Sequence, residues 1–77
     1  MPKARYQSVR SLPLEERTER ALCAVYGDEF TSGELQVGEL REDLDTWEGQ
    51  QRFLALWNYG ERSLKRLIKL LDYALDQ

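Results

Sequence analysis

At 77 residues the chain is too short for two independent cores, yet its 42% hydrophobic and 32% charged residues give it enough apolar side chains to fold around one. A net charge of −3 argues against non-specific nucleic-acid binding, and the lack of histidine beside a single cysteine, Cys23, excludes an internal disulfide framework and an ordinary zinc or iron site. No apolar run nears the roughly twenty residues of a membrane span, so the expectation is a non-enzymatic, cytoplasmic protein with no membrane, cofactor or small-molecule substrate in its chemistry.

Residues 1–10 contain one proline, no helical apolar period and no hydrophobic stretch ahead of a cleavage site. They are expected as a flexible or loosely docked basic arm, not a signal peptide, with a single helical domain over 11–77. In Ser11-Leu12-Pro13-Leu14-Glu15-Glu16, proline near the first helical position and two acids at the positive end of the helix dipole predict a helix start. That helix runs to about Tyr26 with Leu14, Ala21, Leu22 and Val25 on one face, and Gly27 stops it. Residues 28–38 read as loop plus short helix, punctuated by Gly33 and Gly38 and anchored by Leu35, Val37 and Leu40. Asp45-Thr46-Trp47-Glu48 has the form of a capping box with Asp45 at the cap, opening a helix to about Trp57. Asn58-Tyr59-Gly60 is a turn, and the last helix runs from Glu61 to about Leu75 with Leu64, Leu67, Ile68, Leu71, Ala74 and Leu75 aligned. The fold class is all-α, a compact domain of four to five helices. Its expected core is Trp47, Phe53, Leu54, Trp57, Leu64, Leu67, Ile68 and Leu71, with Cys23 as a small core hydrophobe and Tyr26 and Tyr59 sealing its edge.

Charge is distributed unevenly. Residues 28–48 hold eight acids against one base, Arg41, whereas both ends are basic. The acids lack the alternation and closing glutamate of a calcium loop, so they form a solvated face or a surface for a basic partner. Ser63 and Cys23 have no histidine to activate them, and no active site is expected. On the last helix Arg62, Lys65, Arg66 and Lys69 recur at spacings of three and four and form one basic stripe directly after the Asn58-Tyr59-Gly60 turn. Such a stripe can hold phosphates, and is equally the form of an ordinary solvated helix face.

The run Asn58-Tyr59-Gly60-Glu61-Arg62-Ser63-Leu64 resembles the Asn-aromatic/Leu-Gly-x-Lys/Arg-Ser-Leu motif of the C-terminal domain of the bacterial RNA polymerase α subunit. Leu12-x-Leu14-x-x-Arg17-x-x-x-x-Leu22 is similar to that domain's Leu-x-Leu-x-x-Arg-x-x-Asn-x-Leu first helix. Val37-Gly38-Glu39-Leu40 is similar to its Val-Gly-Glu-Leu segment. The three matches stand in the family's order and span most of residues 12–75. The resemblance implies a compact domain with helix-hairpin-helix elements that contacts the DNA minor groove and transcription factors. It gives Arg17 the place of the groove-inserted arginine, and Gly60, Arg62 and Ser63 the places of the turn and helix start that hold phosphates. A guanidinium suits the negative potential of a narrow A/T-rich groove.

The expected DNA-binding face is therefore Arg17, Arg20, Asn58, Gly60, Arg62, Ser63, Lys65 and Arg66, and the expected ligand is A/T-rich duplex DNA. Departures accompany it: Arg20 replaces the family's asparagine, Glu61 stands where a base is common, and Trp57 precedes the turn. The spacing from the first helix to the Asn58 turn is also about a dozen residues longer than the family's. Arg20 lies four residues after Glu16, in position for an ordinary ion pair. The alternative is a protein-interaction module docking on RNA polymerase or a transcription factor through its acidic side, which predicts loss of binding on reversing Glu39, Glu42 and Asp43. A helical accessory with no nucleic acid in its biology is the third possibility.

Overall fold

The backbone before a proline is driven to extended geometry, and Leu12, with ψ 156°, obeys. In the computed structural model, which describes residues 2–76, the first helix consequently begins later than the sequence pattern predicts. Leu12 and Leu14 lean together against the core from an irregular segment, and α1 runs Glu16–Tyr26 from an extended Glu15. Gly27, at φ 59°, ends it as expected, in the left-handed region that favours glycine. Four further helices follow: α2 (Asp28–Thr31), α3 (Val37–Asp43), α4 (Trp47–Leu54) and α5 (Glu61–Leu75). No strand occurs among the described residues, and the domain is all-α.

The start of α4 is capped one residue later than expected. Thr46, not Asp45, occupies the cap, its Oγ1 accepting the Gly49 N–H at 3.1 Å while donating to the Asp43 carbonyl at 2.8 Å. The end of α4 also comes early, at Leu54, three residues before the predicted limit.

Leu22, Leu35, Val37, Leu40, Leu44, Phe53 and Leu71 are wholly buried and form one core with Phe30, Leu64 and Leu67. Phe53 sits between Tyr26 and Tyr59, its ring centroid 6.2 and 5.7 Å from theirs. α5 supplies Leu64, Leu67, Leu71 and Ala74 from one face, as its period predicts. Arg41 of α3 bonds Asp72 of α5 at 2.7 Å across the outside of that contact. The radius of gyration, 11.4 Å, is that of a folded globule of this length, about 11.5 Å.

Three expectations about the core are corrected. Trp57 and Trp47 are 91% and 72% exposed. Trp57 follows the end of α4, so the helical register that would align it with Phe53 no longer applies. Trp47, at the first position of α4, is two residues or about 200° round the helix from buried Gly49. Cys23 is exposed for the same reason, two residues from buried Ala21 on α1.

The expected arm is docked. Two 3-10 turns, Pro2–Tyr6 and Val9–Ser11, lie against the body. Val9 is wholly buried, the Val9 N–H donates to the Leu35 carbonyl at 2.8 Å, and the Val37 N–H donates to the Gln7 carbonyl at 2.8 Å. Arg5 pairs with Glu42, and Arg10 donates to the Thr31 carbonyl. Met1 lies outside the described residues. One apolar side chain with a short backbone pairing has no periodicity, which is why the pattern of residues 1–10 did not predict it.

Candidate nucleic-acid interface

The segment between α4 and α5 is held from beneath by Tyr59. Its ring is 5% exposed against Phe53. Its hydroxyl lies 3.2 Å from Thr18 Oγ1 of α1 and donates to the Ser63 carbonyl of α5 at 3.2 Å. One buried hydroxyl thus fixes the relation of α1, the turn and the start of α5. Burial raises its pKa above the ordinary 10, opposed by the Thr18 hydrogen bond and by the Arg66 and Arg17 guanidiniums.

Above Tyr59 runs an open groove of about 410 Å³ between α1 and the turn, walled by Glu16, Arg17, Arg20, Ala21 and Ala24 on one side and Leu56, Trp57 and Asn58 on the other. Arg17 and Arg20 thus share one concavity with Asn58, which lies 38 or more residues further along the chain. Arg17 is exposed with no hydrogen bond or ion pair among the described residues. Arg20 pairs with Glu16 at 2.7 Å, as its spacing predicts, but both side chains are 76% exposed. A pair in that much water is worth a few tenths of a kcal/mol, about 0.3–0.5, and gives way readily to a stronger anion.

On α5, Gly60 is exposed with extended backbone, φ −105° and ψ 179°, and nothing stands within 4 Å of where a Cβ would project. Any residue adopts that conformation; what glycine leaves there is space at the helix start. Arg62 and Lys65 are exposed and unpaired among the described residues. Arg66, one turn beyond Arg62, reaches Glu15 at 3.4 Å and so lines the basic row up beside the start of α1. Ser63 does not join them. It is 2% exposed, in phase with Leu67, Leu71 and Ala74, and its hydroxyl faces inward where no phosphate can meet it.

No family model, curated protein or solved structure matches the chain. The groove must be judged on its own chemistry. It offers two guanidiniums, one of them paired with the Glu16 carboxylate, and an amide beside an apolar, aromatic wall. The apolar wall is the part the sequence pattern missed, because it depends on α4 ending at Leu54. Its only signal was a tryptophan immediately before a turn.

Glu16 lines this groove, whereas the acids of residues 28–48 do not and are partly neutralised. Arg52 reaches Asp43 at 3.7 Å, Arg41 reaches Asp45 at 3.8 Å as well as Asp72, and Arg5 takes Glu42. Asp43 also accepts the Tyr26 hydroxyl at 2.7 Å, and that hydroxyl's pKa is raised, by burial first and by Asp43 second. The Glu29 carboxyl is raised by loss of water contact and then by Glu39, Asp43 and Glu34 around it. Among the described residues no group of three or more acids or thiols is arranged to hold a metal ion, and no helix is long and apolar enough to cross a membrane.

Proposed function

We propose that this chain is a non-enzymatic, transcription-associated DNA-contacting domain, similar in mode to the RNA polymerase α C-terminal domain whose helix-hairpin-helix motif its turn resembles. Arg17 enters the minor groove of A/T-rich duplex. Arg20, Asn58, Arg62, Lys65 and the Gly60 helix start contact the flanking phosphates. The observation that supports this most is the meeting of Arg17, Arg20 and Asn58 in one groove beside the basic row of α5. Ser63 has no part in it, and Arg66 contributes charge while tethered to Glu15.

With three or four cations engaged, the logarithm of affinity falls with the logarithm of salt at a slope of about −3. Affinity for an isolated copy is weak, because the contacts are few and the net charge is −3. Fluorescence anisotropy with a labelled A/T-rich duplex tests this. Arg17→Ala lowers affinity about tenfold and flattens the salt slope by about one. Affinity that ignores both Arg17→Ala and Arg62→Ala rejects the proposal.

A second reading, docking of a basic protein partner such as a transcription factor or polymerase segment, is favoured by the crowding of Glu34, Glu39 and Asp43 around Glu29. Glu42 and Asp43 are committed to Arg5, Arg52 and Tyr26 within the fold. Reversal of Glu34 and Glu39 is therefore the cleaner test, and it abolishes partner binding on this reading while leaving duplex affinity unweakened.

A further inference from the structure

Trp57 is the most exposed of the large apolar side chains named here, at 91%, on the rim of a concavity whose floor it does not fill. A tryptophan this open adds almost nothing to the core, and its neighbours in the groove, Leu56 and the α1 alanines, make it part of an apolar surface and not a lone exposed side chain. The next residue carries a local cost. Asn58 has φ 147°, a region that non-glycine residues rarely occupy. Tyr59, anchored to Thr18 and Ser63, holds the chain in that shape from below. An unusual backbone conformation thus directly follows an outward indole that faces two guanidiniums, the Glu16 carboxylate and an amide.

We propose that Trp57 is a base-stacking residue, which enters the minor groove beside Arg17 and partly unstacks one base step of duplex DNA. This rests on the DNA-contacting reading above and extends it to a residue that neither the basic stripe nor the family motif supplies. The indole presents a flat apolar face of the size of a base, and Arg17 and Arg20 on the facing wall of the groove supply positive charge for the anionic backbone beside it. Flexible pyrimidine–purine steps such as TA yield to such a wedge most easily, so the preferred site is an A/T-rich duplex containing a TA step.

The test uses the full chain carrying Trp47→Phe, so that Trp57 is the sole indole, and a dye-labelled A/T-rich duplex with 2-aminopurine at its central TA step. Anisotropy reports binding, 2-aminopurine emission reports unstacking, and tryptophan emission reports the indole. The expected result is binding with a rise in 2-aminopurine emission and quenching of Trp57. Trp57→Ala keeps the far-ultraviolet spectrum, binds about tenfold more weakly and leaves 2-aminopurine emission unchanged. Trp57→Phe restores part of both signals. Binding without a change in 2-aminopurine or indole emission, or full affinity for Trp57→Ala, overturns the stacking role while leaving the DNA-contacting reading intact. No anisotropy change with any variant overturns both.

Discussion

Gly49→Ala is the substitution for which general helix propensity and this structure predict opposite signs. Alanine is the better helix former by about 1 kcal/mol. A Cβ at position 49, however, would lie 1.8 Å from the Asp43 carbonyl oxygen and 2.6 Å from its carbonyl carbon. Both are backbone atoms, so no rotamer change relieves the clash and the α3–α4 connection must open. Overpacking of this kind costs about 1–3 kcal/mol. Opening the connection also removes the Thr46 cap on Gly49 and the Thr46 hydrogen bond to Asp43, about 1 kcal/mol each. The balance is a destabilisation of about 2–4 kcal/mol, and at about 4–8 °C per kcal/mol for so small a domain the melting temperature falls by about 8–32 °C. Thermal and urea unfolding followed by far-ultraviolet circular dichroism measure it. A Gly49→Ala protein as stable as the parent, or more so, would refute the packing described between Asp43 and α4.

Gly60→Ala is the counterpart. Its backbone is unstrained and its surroundings are open, so stability stays within about 0.5 kcal/mol, while duplex affinity measured by anisotropy drops about tenfold as the methyl holds phosphate off the helix start. Tyr59→Phe removes the hydroxyl shared with Thr18 and Ser63 and lowers urea stability by about 1–2 kcal/mol; an unchanged midpoint would mean the hydroxyl links nothing. Glu29 has a folded pKa raised above its ordinary 4.5, so its ionisation disfavours the folded state and the stability it leaves intact at low pH is lost as pH rises through the folded value. Glu29→Gln therefore raises the urea midpoint at pH 7, and the advantage over the parent fades as pH falls through the folded value and is gone below the ordinary glutamate value.

The parts of the fold that were legible in the sequence are those set by repetition. α5 follows from leucines at helical spacing, and the end of α1 from Gly27. The same period also places Ser63 in phase with Leu67 and Leu71, so its burial was readable, but the phosphate motif it resembles pointed the other way. Single contacts left no pattern. Val9 docks residues 4–10 with one side chain and a backbone pairing to residues 35–37. Thr46 rather than Asp45 caps α4 because its hydroxyl also reaches back to Asp43. Trp47 is expected inside on size and Trp57 on size and its helical alignment with Phe53, and each is outside because of where α4 begins and ends. For the candidate site, spacing alone identifies the α5 stripe, whereas the meeting of Arg17 with Asn58 depends on Tyr59 bridging α1 and α5. No local pattern encodes a contact across 41 residues.

The central claim is that Arg17, Arg20, Asn58 and the start of α5 form one DNA-contacting face. Titration of the isotopically labelled protein with a short A/T-rich duplex at low salt, followed by the movement of backbone amide signals, tests it position by position. Shifts clustered at Arg17, Arg20 and residues 57–66, fading as salt is raised, are the predicted result. No shifts at millimolar duplex, or shifts confined to the basic segment ahead of α1, would contradict it.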